Sequence, residues 1–140
     1  MNAYDHDLYA WSKEQADALR RRATNEIDFE NLAQEIEGVG SSERKEIRSR
    51  LRVLLIHLLK WRYQPDHQCP SWSASIDEAR NRIALTLEDS PSLAAFPGEA
   101  LAAAYRSALN DRAINHLDTH HLPATCPWDI AQVLDPDFLP

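Results

Sequence analysis

The sequence predicts an all-α protein, a bundle of four or five helices with a long central helix that is bent or broken. Three observations lead to this fold class. An almost unbroken apolar run, residues 53–59, lies inside the segment 43–62, and such a run is typical of a helix that is buried on every side. Apolar residues recur at spacings of three and four in most other segments. No stretch alternates apolar and polar residues, as a half-buried strand would.

Two helices are predicted ahead of the central run. The first covers about residues 5–23, with Leu8, Trp11 and Ala18 at helical spacing. Its acidic start and its arginine-rich end also suit the dipole of a helix. The second begins near Asp28, which is a good N-cap residue. It carries four apolar residues on one face: Phe29, Leu32, Ile36 and Val39.

The composition of segment 38–42 is unfavourable for a helix, but the helical spacing of apolar residues continues through it. Gly38 and Gly40 would each cost about 1 kcal/mol inside a helix, and the serines that follow favour helix caps, so a break or a bend is expected here. The spacing of three and four nevertheless continues to Ile47 and beyond. The pattern leaves open one long bent helix or two nearly coaxial helices, ending before Pro65.

The remaining sequence predicts two longer helices and one short one. A loop over residues 66–71 is followed by a helix over about 72–88. A further helix is predicted with Pro97 at a first helical position and an alanine-rich stretch over 100–117. A short turn of helix is expected over 128–134. The chain shows no internal repeat, linker or low-complexity segment, so we predict a single helical domain over residues 1–140.

The net charge of −7 is distributed unevenly. Residues 1–42 carry four basic and nine acidic side chains, residues 43–62 carry seven and two, and residues 63–140 carry four and eleven. The basic side chains from Arg44 to Arg52 make nucleic-acid binding a possible function. It is not the favoured one, because a protein with a pI near 5.3 lacks the overall positive charge that such binding usually requires. The structural interpretation is that these basic groups pair with acidic neighbours such as Glu35, Glu37, Asp77 or Glu78.

Cysteine usage and hydropathy indicate a cytoplasmic protein. Cys69 and Cys126 stand far apart and match neither a redox pair nor a zinc framework, so we interpret them as reduced structural thiols. The N-terminus shows no charged and then apolar leader, and His57 interrupts the longest apolar run. We therefore expect a protein that is neither secreted by a standard signal nor embedded in a membrane.

Several segments together resemble a known family. They read Glu-Asn-Leu-Ala-Gln-Glu-Ile-Glu at 30–37, Gly-Ser-Ser-Glu-Arg at 40–44 and Leu-Leu-Ile-His-Leu-Leu-Lys-Trp-Arg-Tyr-Gln-Pro at 54–65. Later matches include Asp-Ser-Pro-Ser-Leu at 89–93 and Val-Leu-Asp-Pro at 133–136. The chain resembles the bacterial family called domain of unknown function 29. This resemblance implies a helical fold and a bacterial cytoplasmic protein, and it implies no established activity.

His57 is the first candidate for a functional side chain. On a helix it shares a thin polar edge with Lys60, and the preceding and following helices could bring Glu35 and Arg80 to the same place. These four groups could form a pocket for acid and base chemistry, or for a phosphate or carboxylate. The alternative is that His57 bonds to a neighbour and only orders the core, because buried polar groups need partners whatever their purpose.

A histidine cluster near the C-terminus is the second candidate. His116 and His120 would share a helix face four residues apart, a spacing by which helical histidines chelate metals, and His121 follows them. No third ligand is specified. A solvent-facing helix end is the alternative, since histidine is favoured there in any case.

The aromatic residues offer the third candidate. Trp61, Tyr63 and Trp72 flank the loop at Pro65, and they either pack in the core or form an exposed patch for a partner. With three glycines in all, the chain cannot build a glycine-rich phosphate loop, and no cofactor is expected. The sequence thus favours an interaction or regulatory module that binds another protein or itself, with the enzyme or ligand-binding pocket around His57 as an alternative.

Overall fold

The computed structural model describes residues 3–115 and 122–140. Within them 79% of the residues are helical and none forms a strand. The predicted all-α class is therefore confirmed. Seven α-helices are present in this part of the chain, and three short 3-10 turns join some of them. The helices are α1 (Ala3–His6), α2 (Leu8–Arg21), α3 (Phe29–Tyr63), α4 (Pro70–Asp89), α5 (Phe96–Leu109), α6 (Arg112–Asn115) and α7 (Ile130–Leu134).

Helix α3 runs without interruption through Gly38 and Gly40, so the alternative of two coaxial helices is wrong. Both glycines have helical backbone with no positive φ, and both lie on the exposed surface. Glycine lowers helix stability without forbidding the helix. The helix has 35 residues, and the other 33 stabilise the helical conformation enough for it to continue through both glycines. The helix ends at Tyr63, ahead of Pro65, as predicted.

The chain divides into two compact units, Met1–Ser41 and Ser42–Pro140. We call them the N-terminal unit and the C-terminal unit. Helix α3 contributes its first 13 residues to the former and the rest to the latter. A single domain over residues 1–140 stays a prediction.

The N-terminal unit is a helical hairpin held by a buried glutamine. The Gln15 side chain accepts a hydrogen bond from the Asp28 amide at 2.7 Å and donates one to the Glu26 carbonyl at 3.1 Å. These bonds satisfy backbone groups at the turn between the two long helices, which otherwise lack partners. Helix α2 begins after Asp7, whose carboxylate accepts a hydrogen bond from the Ala10 amide. The helix ends at Arg21, and its C-cap residue Arg22 has a left-handed backbone conformation. The predicted first helix thus divides into α1 and α2 at Asp7.

The C-terminal unit has a dense apolar core, with the second half of α3 inside it. The α3 side chains Leu51, Leu54, Leu55, Leu58 and Leu59 are all completely buried. Residues from the other helices of the unit complete the same cluster: Ile76, Ile83, Ala104, Tyr105, Ala108, Ile114 and Val133. Five of the seven residues in the apolar run 53–59 are thus buried, as the composition predicted, whereas Val53 and His57 are half-buried.

Two predicted helix boundaries need correction. Helix α4 begins at Pro70, inside the expected loop, because proline suits a first helical position. The alanine-rich helix has Pro97 in its first turn, as predicted, but it stops at Leu109 and does not continue along the alanine-rich stretch as expected. The Asp111 carboxylate then accepts a bond from the Ala113 amide, which starts α6 as a separate turn.

Candidate protein-interaction surface

The structure gives His57 and Lys60 separate partners. The half-buried His57 ring holds Nδ1 at 2.8 Å from the Val53 carbonyl oxygen, one turn back along α3. A carbonyl oxygen only accepts, so Nδ1 carries the proton. The Lys60 ammonium lies 4.4 Å from the centre of the Trp72 ring, which is a cation–π contact.

Arg80 is almost fully buried and holds the C-terminal tail. Its Nε donates to the Val133 carbonyl at 2.9 Å and its Nη2 donates to the Phe138 carbonyl at 2.8 Å. Burial lowers the pKa of this guanidinium, while Asp77 and Asp135 oppose that shift. The described residues supply no partner for its Nη1. The sequence did not predict this role, because the two carbonyls lie more than fifty positions away.

In the C-terminal unit, the candidates His57, Lys60 and Arg80 each have a hydrogen bond or a cation–π contact with another residue. No hydrogen bond there joins His57, Lys60 or Arg80 to another of the three. Glu35 belongs to the N-terminal unit, where it accepts a hydrogen bond of 2.6 Å from the Tyr4 hydroxyl. That bond raises the pKa of Tyr4. A joint catalytic role for the four residues stays a prediction.

The basic segment finds nearer partners than the sequence suggested. Arg50 pairs with Glu46 at 3.0 Å and Arg52 pairs with Asp111 at 2.6 Å. The guanidinium groups of Arg44 and Arg48 lie over the ring of Phe96, a residue that no charge pattern points to. Asp77 and Glu78 do not pair with these basic residues. Glu78 instead meets Arg82 at 3.9 Å within α4.

The metal candidates His116, His120 and His121 lie outside the described residues. Within residues 3–115 and 122–140, no group of three metal-ligating side chains comes together. Both cysteines are free and half-buried. Burial raises the pKa of the Cys126 thiol, which donates to the Trp128 carbonyl at 3.3 Å. A thiol with a raised pKa forms little thiolate at neutral pH, and the thiolate is the reactive form, so Cys126 is expected to be unreactive.

The tryptophans do not form the exposed patch that was considered. Trp11 and Trp128 are buried, whereas Trp61 and Trp72 are half-buried against their neighbours. Burial of the aromatic groups at the Pro65 loop leaves little of them for a partner. The exposed apolar surface lies in the other unit.

Six of the eight exposed large apolar side chains among the described residues belong to the N-terminal unit. The most exposed on α3 are Ile36 at 69% and Val39 at 66%. The sequence placed both on an apolar face, and their exposure shows that no other element of the unit covers it. The six are Leu8, Tyr9, Leu19, Phe29, Ile36 and Val39.

A groove between α2 and the start of α3 continues this surface. Its volume is about 700 Å³. Along α2 the lining residues recur one turn apart, which gives the groove a straight wall. Glu35 is its one acidic group, and the Tyr4 hydroxyl already occupies an oxygen of that carboxylate. The groove is lined chiefly by Leu8, Ser12, Ala16, Leu19, Leu32 and Glu35.

Hydrogen bonds and an aromatic contact hold together the helices that form this groove. Asp28 accepts hydrogen bonds from the side chain of Asn31 at 2.7 Å and from the Trp11 indole at 3.2 Å. These bonds lower the pKa of Asp28, against the opposing effect of burial. The Trp11 ring in turn meets the edge of Tyr4, with centroids 4.8 Å apart. The sequence identified Asp28 as a helix cap but did not predict its bond to Trp11.

The model of one protein family, described as domain of unknown function DUF29, matches residues 3–139. The chain belongs to this family. The resemblance read from the sequence is therefore confirmed, and DUF29 membership assigns no activity to the chain. No curated protein and no solved structure matches the chain significantly. Among the helices of the described residues, none has the length and apolar character needed to cross a bilayer.

Proposed function

We propose that this DUF29 protein is an interaction module that pairs with a second copy of itself through the N-terminal unit. The observation that carries the proposal is the apolar stripe of α3, which consists of the exposed Phe29, Ile36 and Val39 together with the half-buried Leu32. Together with the adjoining groove it forms one continuous apolar face. Such concentrations of exposed apolar surface are typical of interaction sites.

The spacing within the stripe suits a helix as the occupant. Its residues follow one another at intervals of three, four and three, which is the seam of paired helices. Ala33 and Gly40 share the seam's face because each follows a seam residue by four positions. Their small side chains allow a second helix to approach closely. Glu30 and Glu37 are not three or four positions from any seam residue, so they lie farther from the seam.

The exposed apolar area approaches the area that one partner contributes to a stable dimer. Side chains of this size present about 150–250 Å² each when fully exposed, so the six, at 47 to 73% exposure, offer on the order of 600–800 Å². A standard interface buries roughly 800 Å² per partner. The N-terminal unit therefore supplies most of what one partner contributes to such an interface.

A second copy is the occupant that fits this face best. Two-fold pairing of two helical hairpins makes a four-helix bundle and lays each stripe against its copy. Residues 1–41 carry a net charge of −5, yet the seam itself contains no charged residue. Glu35 lines the adjoining groove, where the Tyr4 hydroxyl already binds one of its oxygens, so the apolar seam itself brings no like charges together. We further propose a bacterial, cytoplasmic setting, which two free cysteines and the family resemblance support.

Sedimentation velocity over a range of protein concentrations tests the proposal. We expect a dimer for the unaltered chain and a monomer for the double variant Ile36→Glu, Val39→Glu, with unchanged helical circular dichroism. Leu85→Glu is the matched control, because Leu85 is a comparably exposed leucine on α4. It should remain dimeric.

Two results would contradict the proposal. One is an unaltered chain that stays monomeric at concentrations of about 100 μM, well above the micromolar range of ordinary interfaces. The other is a dimer that survives both glutamates. In either case another protein, or another face of this chain, would be the binding partner or site.

A further inference from the structure

A small cavity in the C-terminal unit lies between the second half of α3 and α5. Its volume is about 190 Å³. The cavity exists because α5 presents Ala103 and Ala104 to this space, and their methyl groups do not fill it. Around that alanine floor stand two arginines and two serines. They are Arg48, Ser49 and Arg52 of α3 and Ser107 of α5.

Arg52 is fixed in place with part of its guanidinium unused. Its Nε donates to the Ser107 hydroxyl at 2.9 Å and its Nη2 pairs with Asp111 at 2.6 Å. Neither contact involves Nη1, which makes no hydrogen bond with the described residues. The Ser107 oxygen accepts from Arg52, so its own proton is free to be donated. Arg52 and Ser107 are thus already ordered before a ligand binds, so binding loses little side-chain entropy at these two residues.

Arg48 carries a positive charge that no carboxylate neutralises within 4.0 Å among the described residues. Its guanidinium lies 5.8 Å from the centre of the Phe96 ring, and that of Arg44 lies 4.9 Å from the same centre. Stacking on an aromatic face orients a guanidinium without cancelling its charge. Arg44 and Arg48 thus share the Phe96 ring, and Arg48 also lines the cavity, in a protein whose overall charge is −7.

We propose that this cavity binds the phosphate group of a small phosphorylated molecule. Arginine and hydroxyl donors are the groups that recognise phosphate oxygens, and Arg48 with Arg52, Ser49 and Ser107 provides both kinds. The space holds a single phosphate with little around it. A long polyanion is disfavoured, because the acidic remainder of the protein would repel it.

Asp111 opposes the phosphate, because its carboxylate pairs with Arg52. Its pKa is lowered first by the bond from the Ala113 amide and also by Arg52, so it is ionised at neutral pH. Asp111 pairs with Arg52, which lines the cavity, and its negative charge partly neutralises that guanidinium. In an Asp111→Asn variant the amide oxygen can still accept from Ala113, but the amide nitrogen cannot accept from Arg52. The guanidinium then keeps its bond to Ser107 and loses the neutralising carboxylate, so phosphate binding should strengthen.

Isothermal titration with inorganic phosphate at low ionic strength tests the site. We expect binding in the millimolar range, weakened about tenfold by Arg48→Gln and strengthened severalfold by Asp111→Asn. Arg82→Gln is the control, because Arg82 is an exposed arginine on another helix. It should bind phosphate as the unaltered chain does. Circular dichroism confirms that each variant is folded.

The proposal fails if the unaltered chain shows no heat of binding, or if Arg82→Gln weakens phosphate binding as much as Arg48→Gln. It also fails if Asp111→Asn leaves the affinity unchanged in a folded protein. A single-stranded oligonucleotide that binds more tightly per phosphate than inorganic phosphate would indicate a nucleic-acid surface instead. All residues involved belong to the C-terminal unit, so the result does not depend on self-association.

Discussion

The two halves of α3 carry similar apolar patterns and have opposite surroundings. In the second half Leu54 and Leu58 are completely buried, whereas in the first half Ile36 and Val39 are about two-thirds exposed. Both pairs are set three or four residues apart. Periodicity therefore shows which side chains share a helix face, and the presence of neighbouring elements decides whether water reaches that face.

The energetic consequence follows from that difference. Burying a leucine side chain stabilises a fold by about 1.5–3 kcal/mol, and the second half of α3 buries several. The exposed side chains of the first half contribute nothing comparable until something covers them. The C-terminal unit is thus stabilised by its own core, while the apolar face of the N-terminal unit has stabilisation still to gain on association.

Truncation of one side chain in each half should give the largest contrast. Leu58→Ala leaves a cavity in the core and should lower the free energy of unfolding by about 2–5 kcal/mol. Ile36→Ala, in dilute monomeric protein, should change it by less than about 1 kcal/mol. Urea unfolding followed by circular dichroism measures both. Equal losses would show that the first half of α3 is as well covered as the second.

The buried polar residues sharpen the same comparison. The described residues include two, Gln15 in the N-terminal unit and Arg80 in the C-terminal unit, and both bind backbone groups of a neighbouring segment. Arg80→Ala removes two hydrogen bonds and leaves the carbonyls of Val133 and Phe138 without a partner. We expect a loss of about 2–4 kcal/mol, since each unsatisfied buried group costs about 1–3 kcal/mol.

Hydrogen exchange localises this effect. Arg80→Ala should speed amide exchange in α7 and the tail, and leave the exchange of α2 unchanged. Arg82→Ala is the control, because its ion pair is exposed and worth little. An Arg80 variant as stable as the Arg82 variant would mean that the tail does not depend on the guanidinium.

Particular residues show how far sequence reasoning reached. The class, the central helix and the burial of the Leu54 region follow from composition and spacing, because a run with one polar residue in seven has no face that favours water. The exposure of Ile36 did not follow, since spacing carries no information about what covers a face. The bond between Arg80 and the tail depends on contacts across more than fifty residues, and no local pattern records it.

A carboxylate in each unit makes pH a further comparison. The bond from the Asn31 side chain holds the pKa of Asp28 below its usual 3.8, and the Ala113 amide lowers the pKa of Asp111. A depressed folded-state pKa gives stability that is present above the unfolded-state value and is lost as pH falls through the folded-state value. Both units should therefore lose stability in acid below about pH 4.

Thermal unfolding between pH 7 and pH 2.5 checks this expectation. Asp28→Asn should reduce the acid sensitivity of the N-terminal unit, and Asp111→Asn that of the C-terminal unit. NMR signals from each unit report the two effects separately. An Asp28→Asn protein with the acid sensitivity of the unaltered chain would show that the bonds to Asn31 and Trp11 contribute no pH-dependent stability.

The smallest expected effect distinguishes two glycines in the exposed half of α3. A Cβ added at Gly38 or Gly40 meets no atom within 4 Å, and both residues are helical. Each change to alanine should therefore raise the helix's stability by about 0.5–1 kcal/mol, through lower backbone freedom in the unfolded chain. Urea unfolding of the monomer should show the same gain for both.

Their effects on pairing should differ. Gly40 follows Ile36 by four positions and so shares the face of the apolar stripe, whereas Gly38 points away from it. If two stripes pack closely, a methyl group at position 40 holds the helices apart, and Gly40→Ala weakens the dimer while Gly38→Ala leaves it intact. Sedimentation of both variants measures this. Dimers of equal strength would place the contact on the α2 side of the groove rather than along α3.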